Sequence, residues 1–219
     1  GTDVSARIFA QIANEAWKQS VVPDNRAGAS GMLGLDALAA AAPDGYTLAF
    51  MSISQFIDAT LLQKYTFEAT RDFTPISMLA ATPLVLLAHA DTQIQSVAQL
   101  ISRARAQPGS LNYASGGSGT STHLTGEMMK QAAKVFIVHI PYKGSNPAVT
   151  ELLGGQVQMI FGSAPATVPL VKANRLRALG VTTMKRMSSF PDVPTIHEAG
   201  VKGYEVVLWY GVLGPKNLP

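Results

Sequence analysis

Leu111-Asn112-Tyr113-Ala114-Ser115-Gly116-Gly117-Ser118-Gly119-Thr120-Ser121-Thr122-His123-Leu124 is the stretch on which the fold reading turns. Leu111 to Ala114 reads as a short strand. Ser115 to Ser121 is a glycine, serine and threonine turn, and it opens a helix that runs through Lys134. A strand that feeds a helix through a tight turn is half of a parallel βαβ unit. Downstream the pattern repeats. Val135–Ile140 predicts a strand, Asn146–Leu153 a helix and Gln156–Phe161 a strand. Ala164–Ala173 predicts a helix, and Leu176–Val181 and Val206–Leu213 predict strands.

Upstream, Val4, Ile8, Ile12 and Trp17 follow helical spacing between Asp3 and Lys18. Leu33–Ala42 is a small-residue helix stopped by the turn triplet Pro43-Asp44-Gly45. Tyr46–Met51 predicts a buried strand and Ser52–Leu62 a helix. Ile76–His89 predicts one or two strands interrupted at Pro83, and Ser96–Ala106 a helix ended by Pro108-Gly109. The alternation predicts an α/β protein with parallel sheets.

The chain has 219 residues, enough for one large domain or two small ones. It has no Cys, which excludes a disulfide framework, a thiolate nucleophile and Cys-based metal sites. Lys and Arg number 17 against 14 Asp and Glu, with no basic cluster interleaved with aromatics, so no nucleic-acid partner is expected. The uncharged stretches Phe73–Ala90 and Leu152–Val171 are broken by Pro75, Pro83, Pro165 and Pro169. They read as buried strands rather than membrane spans.

Several catalytic signatures are missing from the glycine-rich turn. Gly116-Gly117-Ser118-Gly119-Thr120 has Thr where a nucleophile elbow has its last glycine. No Walker lysine follows the turn, and no Gly-x-Gly-x-x-Gly is present. His89, His123, His139 and His197 lack metal-ligand spacing, so neither metal nor cofactor is expected. What the turn does offer is a helix start, with unpaired N–H groups, a partial positive charge and up to four hydroxyls nearby. That combination suits a carboxylate or phosphate. The competing reading is an ordinary capped turn. Gly1-Thr2-Asp3 opens a helix in the same way, with a plain N-cap as its alternative. Further polar candidates follow strands: Ser52, Ser54 and Gln55; Tyr142 to Ser145; Gly162 and Ser163. Ligands in open α/β sheets gather at such carboxyl ends. His123 lies one turn into its helix, as a donor to ligand or as a capping or core residue.

Taken in order, a set of short runs resembles the Bug (TctC-like) family, the solute-binding receptors of tripartite tricarboxylate transporters. They are Asn25-Arg26-Ala27-Gly28-Ala29, Ala42-Pro43-Asp44-Gly45-Tyr46-Thr47-Leu48, Leu111 to Ser115 and Gly119 to Leu124. Val138 to Ser145, Leu152 to Val157, Arg177 to Thr182 and Pro191 to Thr195 follow. The likeness spans essentially the whole chain. It implies a type II periplasmic binding-protein fold of two α/β lobes with a ligand cleft between them. The first lobe would cover 1–100, with 208–219 returning to it, and the second 101–207. It implies a periplasmic, monomeric, non-enzymatic receptor that takes a small organic carboxylate to membrane components of a transporter. The matching positions are Thr2, Asp3, Ser52 and Ser54 in the first lobe. In the second they are Ser115, Gly119, Thr120, Ser121 and His123, with Tyr142, Gly144 and Ser163 as further candidates.

The resemblance also implies a strand and loop before Gly1 and a long stretch past Pro219, so the chain looks like the middle of such a protein. Many members carry an acid after the Met-Phe run, where this chain has Gly162 after Met159-Ile160-Phe161. Without that acid, a dicarboxylate or aromatic acid is expected over an amino acid. Two rivals stand beside the receptor reading: an enzyme acting on a small carboxylate, for which His123 and Asp3 are the available bases, and a partner that presents ligand to a sensor protein.

Overall fold

A computed structural model describes residues 2–26, 31–62, 67–68 and 71–218. Gly1 and residues 27–30, which carry part of the resemblance, lie outside the described residues. In chain order the elements are α1 (Thr2–Trp17), α2 (Met32–Ala39), β1 (Ala49–Ser52), α3 (Ile53–Leu62) and β2 (Phe73–His89). There follow α4 (Val97–Ala106), β3 (Asn112–Ser115), α5 (Ser121–Ala133), β4 (Val138–Pro141) and α6 (Ser145–Leu153). The chain continues through β5 (Met159–Ser163), α7 (Ala164–Lys172), β6 (Leu176–Val181) and β7 (Val207–Pro215). Among the described residues no helix is long and apolar enough to cross a membrane.

Every element expected from the sequence is present, but β4 and β5 each start three residues later than the apolar runs suggest. The cause is how the preceding helices end. Lys134 adopts φ 53°, and the Val135 N–H turns back to the Lys130 carbonyl. Gly155 does the same with φ 71°, so the Gln156 N–H reaches the Glu151 carbonyl. Such closures satisfy orphan carbonyls and carry the chain past the last turn before the strand can begin. Val135 therefore belongs to a helix end, not to a strand.

The chain divides into two compact units. One comprises Gly1–Ala81 and Trp209–Pro219, the other Thr82–Leu208. The division falls inside β2, not at residue 100, because Leu84–His89 and α4 join the second unit. Leu84–Ala88 pair with β5, Val85–His89 pair with β6, and Val97 packs against Gly180.

In the second unit β3 lies between β4 and β5, parallel to both. β2 lies between β5 and β6, antiparallel to both. The sheet is thus mixed, not parallel throughout as expected. Three successive crossovers, through α5, α6 and α7, keep β3 to β6 pointing one way. β2 enters from outside that series and runs against it. Pro83 does not break β2 either. It has no N–H to donate, but the residues paired with β5 begin at Leu84, one position later. Val85, Leu87, Ala114, Leu152, Ile160 and Val181 are fully buried in this unit's core.

In the first unit β1 pairs antiparallel with β7, and Met32, Leu35, Leu38, Met51, Phe73 and Leu213 form the core. The stripe that identifies α1 as a helix is not the one it buries. Ala10 and Ala13 face inward, while Val4, Ile8 and Ile12 are 51%, 56% and 61% exposed.

One buried hydroxyl ties the second unit together. Thr182, fully buried, accepts the Leu84 N–H at 3.0 Å and donates to the Val206 carbonyl at 2.6 Å. Thr182→Val keeps the shape and leaves both partners unsatisfied. It is expected to lower stability by about 1–3 kcal/mol per orphaned group, measured by urea unfolding.

Candidate functional site

The carboxyl ends of β3, β4 and β5 lie on one edge of the second unit's sheet, since these strands are parallel. The loops after β3 and β4 are joined by backbone bonds. The Tyr142 N–H donates to the Ser115 carbonyl and the Gly144 N–H to the Gly116 carbonyl, both at 3.1 Å. Gly116 permits that approach, because a Cβ there would lie 3.2 Å from Ser145 Oγ and 3.3 Å from the Ser145 nitrogen. Gly119 turns the chain into α5 with φ +85°, a conformation that side chains disfavour.

Within this turn most hydroxyls hold the loop itself. Thr120 is the N-cap of α5. It donates to the Gly117 carbonyl at 2.7 Å and accepts the His123 N–H at 3.4 Å. Thr122 Oγ1 accepts the Gly116 N–H and lies 3.1 Å from Thr120 Oγ1. Ser115 is fully buried, and its Oγ accepts the Gly117 N–H at 3.1 Å. Ser121 is buried in the first turn of α5, and Ser118 is exposed at the tip. A rigid loop therefore presents the start of α5, where first-turn N–H groups lack intrahelical partners.

Beneath the turn three rings form a column. Tyr113 and His139, register partners in β3 and β4, have centroids 5.0 Å apart. His139 stacks on His123 at 4.1 Å. His139 Nε2 lies 2.6 Å from Ser115 Oγ, and His123 Nδ1 accepts the Gly119 N–H at 3.1 Å. Glu127, one turn along α5, receives the Tyr113 hydroxyl and Lys130, each at 2.7 Å. Burial, then the neighbouring His123, depresses His139 to about 4. Burial is also the main cause of the lowered His123. Burial pushes the Glu127 carboxyl up, but the bonds from Lys130 and Tyr113 outweigh it and hold Glu127 ionised. α5 sits close enough for this because position 126 is glycine. A Cβ there would overlap the Tyr113 ring.

The structure brings Ser115, Gly119, Thr120, Ser121, His123, Tyr142 and Gly144 to one pair of adjacent loops. Tyr142 donates its hydroxyl to Glu151 at 3.3 Å. Ser163 ends β5 on the same sheet edge and is the N-cap position of α7. The remaining candidates belong to the first unit. Thr2 starts α1. The Asp3 carboxylate takes Arg7 Nε on both oxygens and Asn25 Nδ2 at 2.6 Å, and the Asn25 bond leads in lowering its pKa. Buried Ser52 donates to Gln55 Oε1 at 3.0 Å and accepts the Ser54 N–H, so this pair shapes the β1–α3 junction. The sequence reading missed Tyr113, Thr122, Glu127 and the structural part of His139. Alternation in Val138-His139-Ile140 was the available signal, since it sets His139 on a face of its own. A depression of about 550 Å³ along α5 is lined by Leu124, Glu127, Met128, Lys130, Gln131 and Val135, away from the turn.

A profile described as tripartite tricarboxylate transporter family receptor matches residues 5–219. Among curated relatives, a protein of the tcbD–tcbE intergenic region of Pseudomonas sp. (strain P51) is 41% identical over 218 residues, covering 99% of this chain and 65% of that protein. BugT of Bordetella pertussis is 37% identical, covering 99% and 67%. The chain thus spans about two thirds of the length of these relatives. A solved structure of an R. palustris protein with adipate superposes with TM-score 0.95 at 36% identity, covering 100% of this chain and 73% of that one. MatC from Rhodopseudomonas palustris, with bound malate, gives 0.91 at 29%, covering 100% and 75%. The periplasmic binding protein BugD gives 0.90 at 32%, covering 100% and 73%.

Two outcomes follow from the turn. Thr120→Ala removes the cap of α5 and should cost about 0.5–2 kcal/mol, with Thr120→Ser close to the parent, by urea unfolding. Both imidazoles bind protons less readily in the folded state than in the unfolded chain. Their contribution to stability is therefore complete above about pH 6.5 and lost as pH falls toward about 4. The melting temperature should drop across that window, and His139→Gln should flatten the drop.

Proposed function

The chain belongs to the tripartite tricarboxylate transporter receptor family, and on that premise we propose that it is a periplasmic receptor for a small organic carboxylate. The observation that carries the reading is the preformed turn at the start of α5. Thr120, Thr122, Ser115 and His123 hold its backbone, so little order has to be gained on binding. Neutral donors at a helix start bind a carboxylate and also let it go. The adipate and malate held by two structural neighbours support this ligand class. The receptor would work as a monomer and hand its ligand to the membrane components of a transporter.

The enzyme reading finds little support in the geometry. Ser115 Oγ and His139 Nε2, at 2.6 Å, have the spacing of a nucleophile and its base. Yet Ser115 is fully buried, and its hydroxyl already serves Gly117.

Two features favour plain carboxylates over amino acids. A Cβ at Gly162 would overlap the Thr167 methyl and lie 3.3 Å from Leu87 Cδ1, so no acid fits there without repacking. Asp3 is already engaged by Arg7 and Asn25. An ammonium group without a counter-charge is costly to bury. In calorimetry, adipate, malate or an aromatic acid should bind and be recovered unchanged. The α-amino counterpart of a binding diacid should be weaker by about tenfold or more. Chemically altered ligand, tighter binding of the amino compound, or no heat with any acid would sink the reading.

A further inference from the structure

His139 Nε2 reaches the turn through Ser115, which in turn holds the Gly117 N–H. His123 Nδ1 reaches it directly, by accepting the Gly119 N–H. Two stacked imidazoles therefore hold two backbone groups of the loop that precedes α5. The Gly119 bond needs a lone pair on Nδ1, which fixes the neutral ring with its proton on Nε2, toward Glu127 Oε1 at 3.9 Å. A proton added to Nδ1 sets N–H against N–H and removes the bond. Charging both rings at a centroid separation of 4.1 Å adds repulsion between two imidazolium ions.

The groups that face this pair come from β3 and α5. Tyr113 and Ser115 approach from β3 and its end, and Glu127 and Lys130 from α5. Tyr204 closes the far side of α5, with its hydroxyl on the Thr125 carbonyl at 2.8 Å. Glu127 alone favours an imidazolium, but it is already bonded to Lys130 and Tyr113.

We propose that His139 and His123 act together as a positioning pair for the α5 turn, holding it in binding shape only while both rings are neutral, so that carboxylate affinity falls on acidification. This rests on the turn being the carboxylate site. It runs opposite to the simplest role for a histidine beside an anion. An imidazolium that touches a carboxylate strengthens binding in acid, whereas a ring that must stay neutral to shape the loop weakens it. The sign of the pH dependence separates the two.

The test has two arms. In ligand-free protein, hydrogen exchange at the Gly117 and Gly119 amides is followed from neutral pH to about pH 4, in wild type, His139→Gln and His123→Asn. In the second arm adipate is titrated by calorimetry over the same range. The ratio of affinities between the two pH values is the readout, compared across proteins so that protonation of adipate itself cancels. In wild type, Gly119 protection and adipate affinity should fall together, the affinity by about tenfold or more beyond the change in His123→Asn. His123→Asn keeps an acceptor that does not titrate, so its Gly119 protection should be independent of pH. His139→Gln should speed exchange at Gly117 even at neutral pH. Affinity that is flat or rises in acid, or the same ratio in wild type and His123→Asn, overturns the proposal and leaves the carboxylate reading standing. If adipate and the wider acid panel fail to bind at neutral pH, the carboxylate reading fails, and the exchange arm alone decides whether the pair positions the loop.

Discussion

Helix α5 can lie where it does only because residue 126 has no side chain. The missing Cβ lets the helix settle onto the Tyr113 ring, and much else in the second unit follows from that closeness. Tyr113 then points its hydroxyl at Glu127 and its face at His139. The start of the helix is brought over the ends of β3 and β4, where the loops after both strands bond to one another. A larger residue at 126 would lift the helix and separate the rings from the turn they hold.

Polar groups in this region illustrate how a buried network sets shape. Ser115, Thr122, Thr125 and Thr182 are all nearly inaccessible, and each has a backbone partner. None is spare. Such networks contribute little net stability per bond, but leaving one member unpaired is expensive. The loop before α5 is consequently specified by hydrogen bonds rather than by apolar packing. One of its acceptors is the His123 imidazole and His139 bonds to its Ser115, and so its geometry is linked to proton uptake.

Much of the architecture is legible in the sequence because its signals are local. The glycine-rich run after Ala114 marks a turn, Thr120 supplies the cap, and the helix follows at Ser121. Ser96 caps α4 in the same readable way, accepting the Gln99 N–H. Other features depend on partners remote in sequence. Nothing near Leu84–Ala88 announces that the strand will run antiparallel between β5 and β6. Strand starts are obscured where Val135 and Gln156 close the preceding helix, and apolar Val135 in particular resembles the first residue of a strand. The role of His139 depends on the register that sets it beside Tyr113. For the candidate residues, the sequence indicates which loops carry them. It does not distinguish hydroxyls that face a ligand from those, like Thr120 and Ser52, that are already spent on local hydrogen bonds.

The apolar stripe on α1 bears on how the protein behaves in bulk. Val4, Ile8 and Ile12 stand outward, and in β2 Ile76, Met78 and Leu79 are also well exposed. Contiguous apolar surface and open strand are the features that make molecules adhere to one another. A formal charge of only +3 gives weak mutual repulsion to counter it. The polypeptide should be sensitive to salt and concentration, with colloidal association setting the limit at which it stays dispersed.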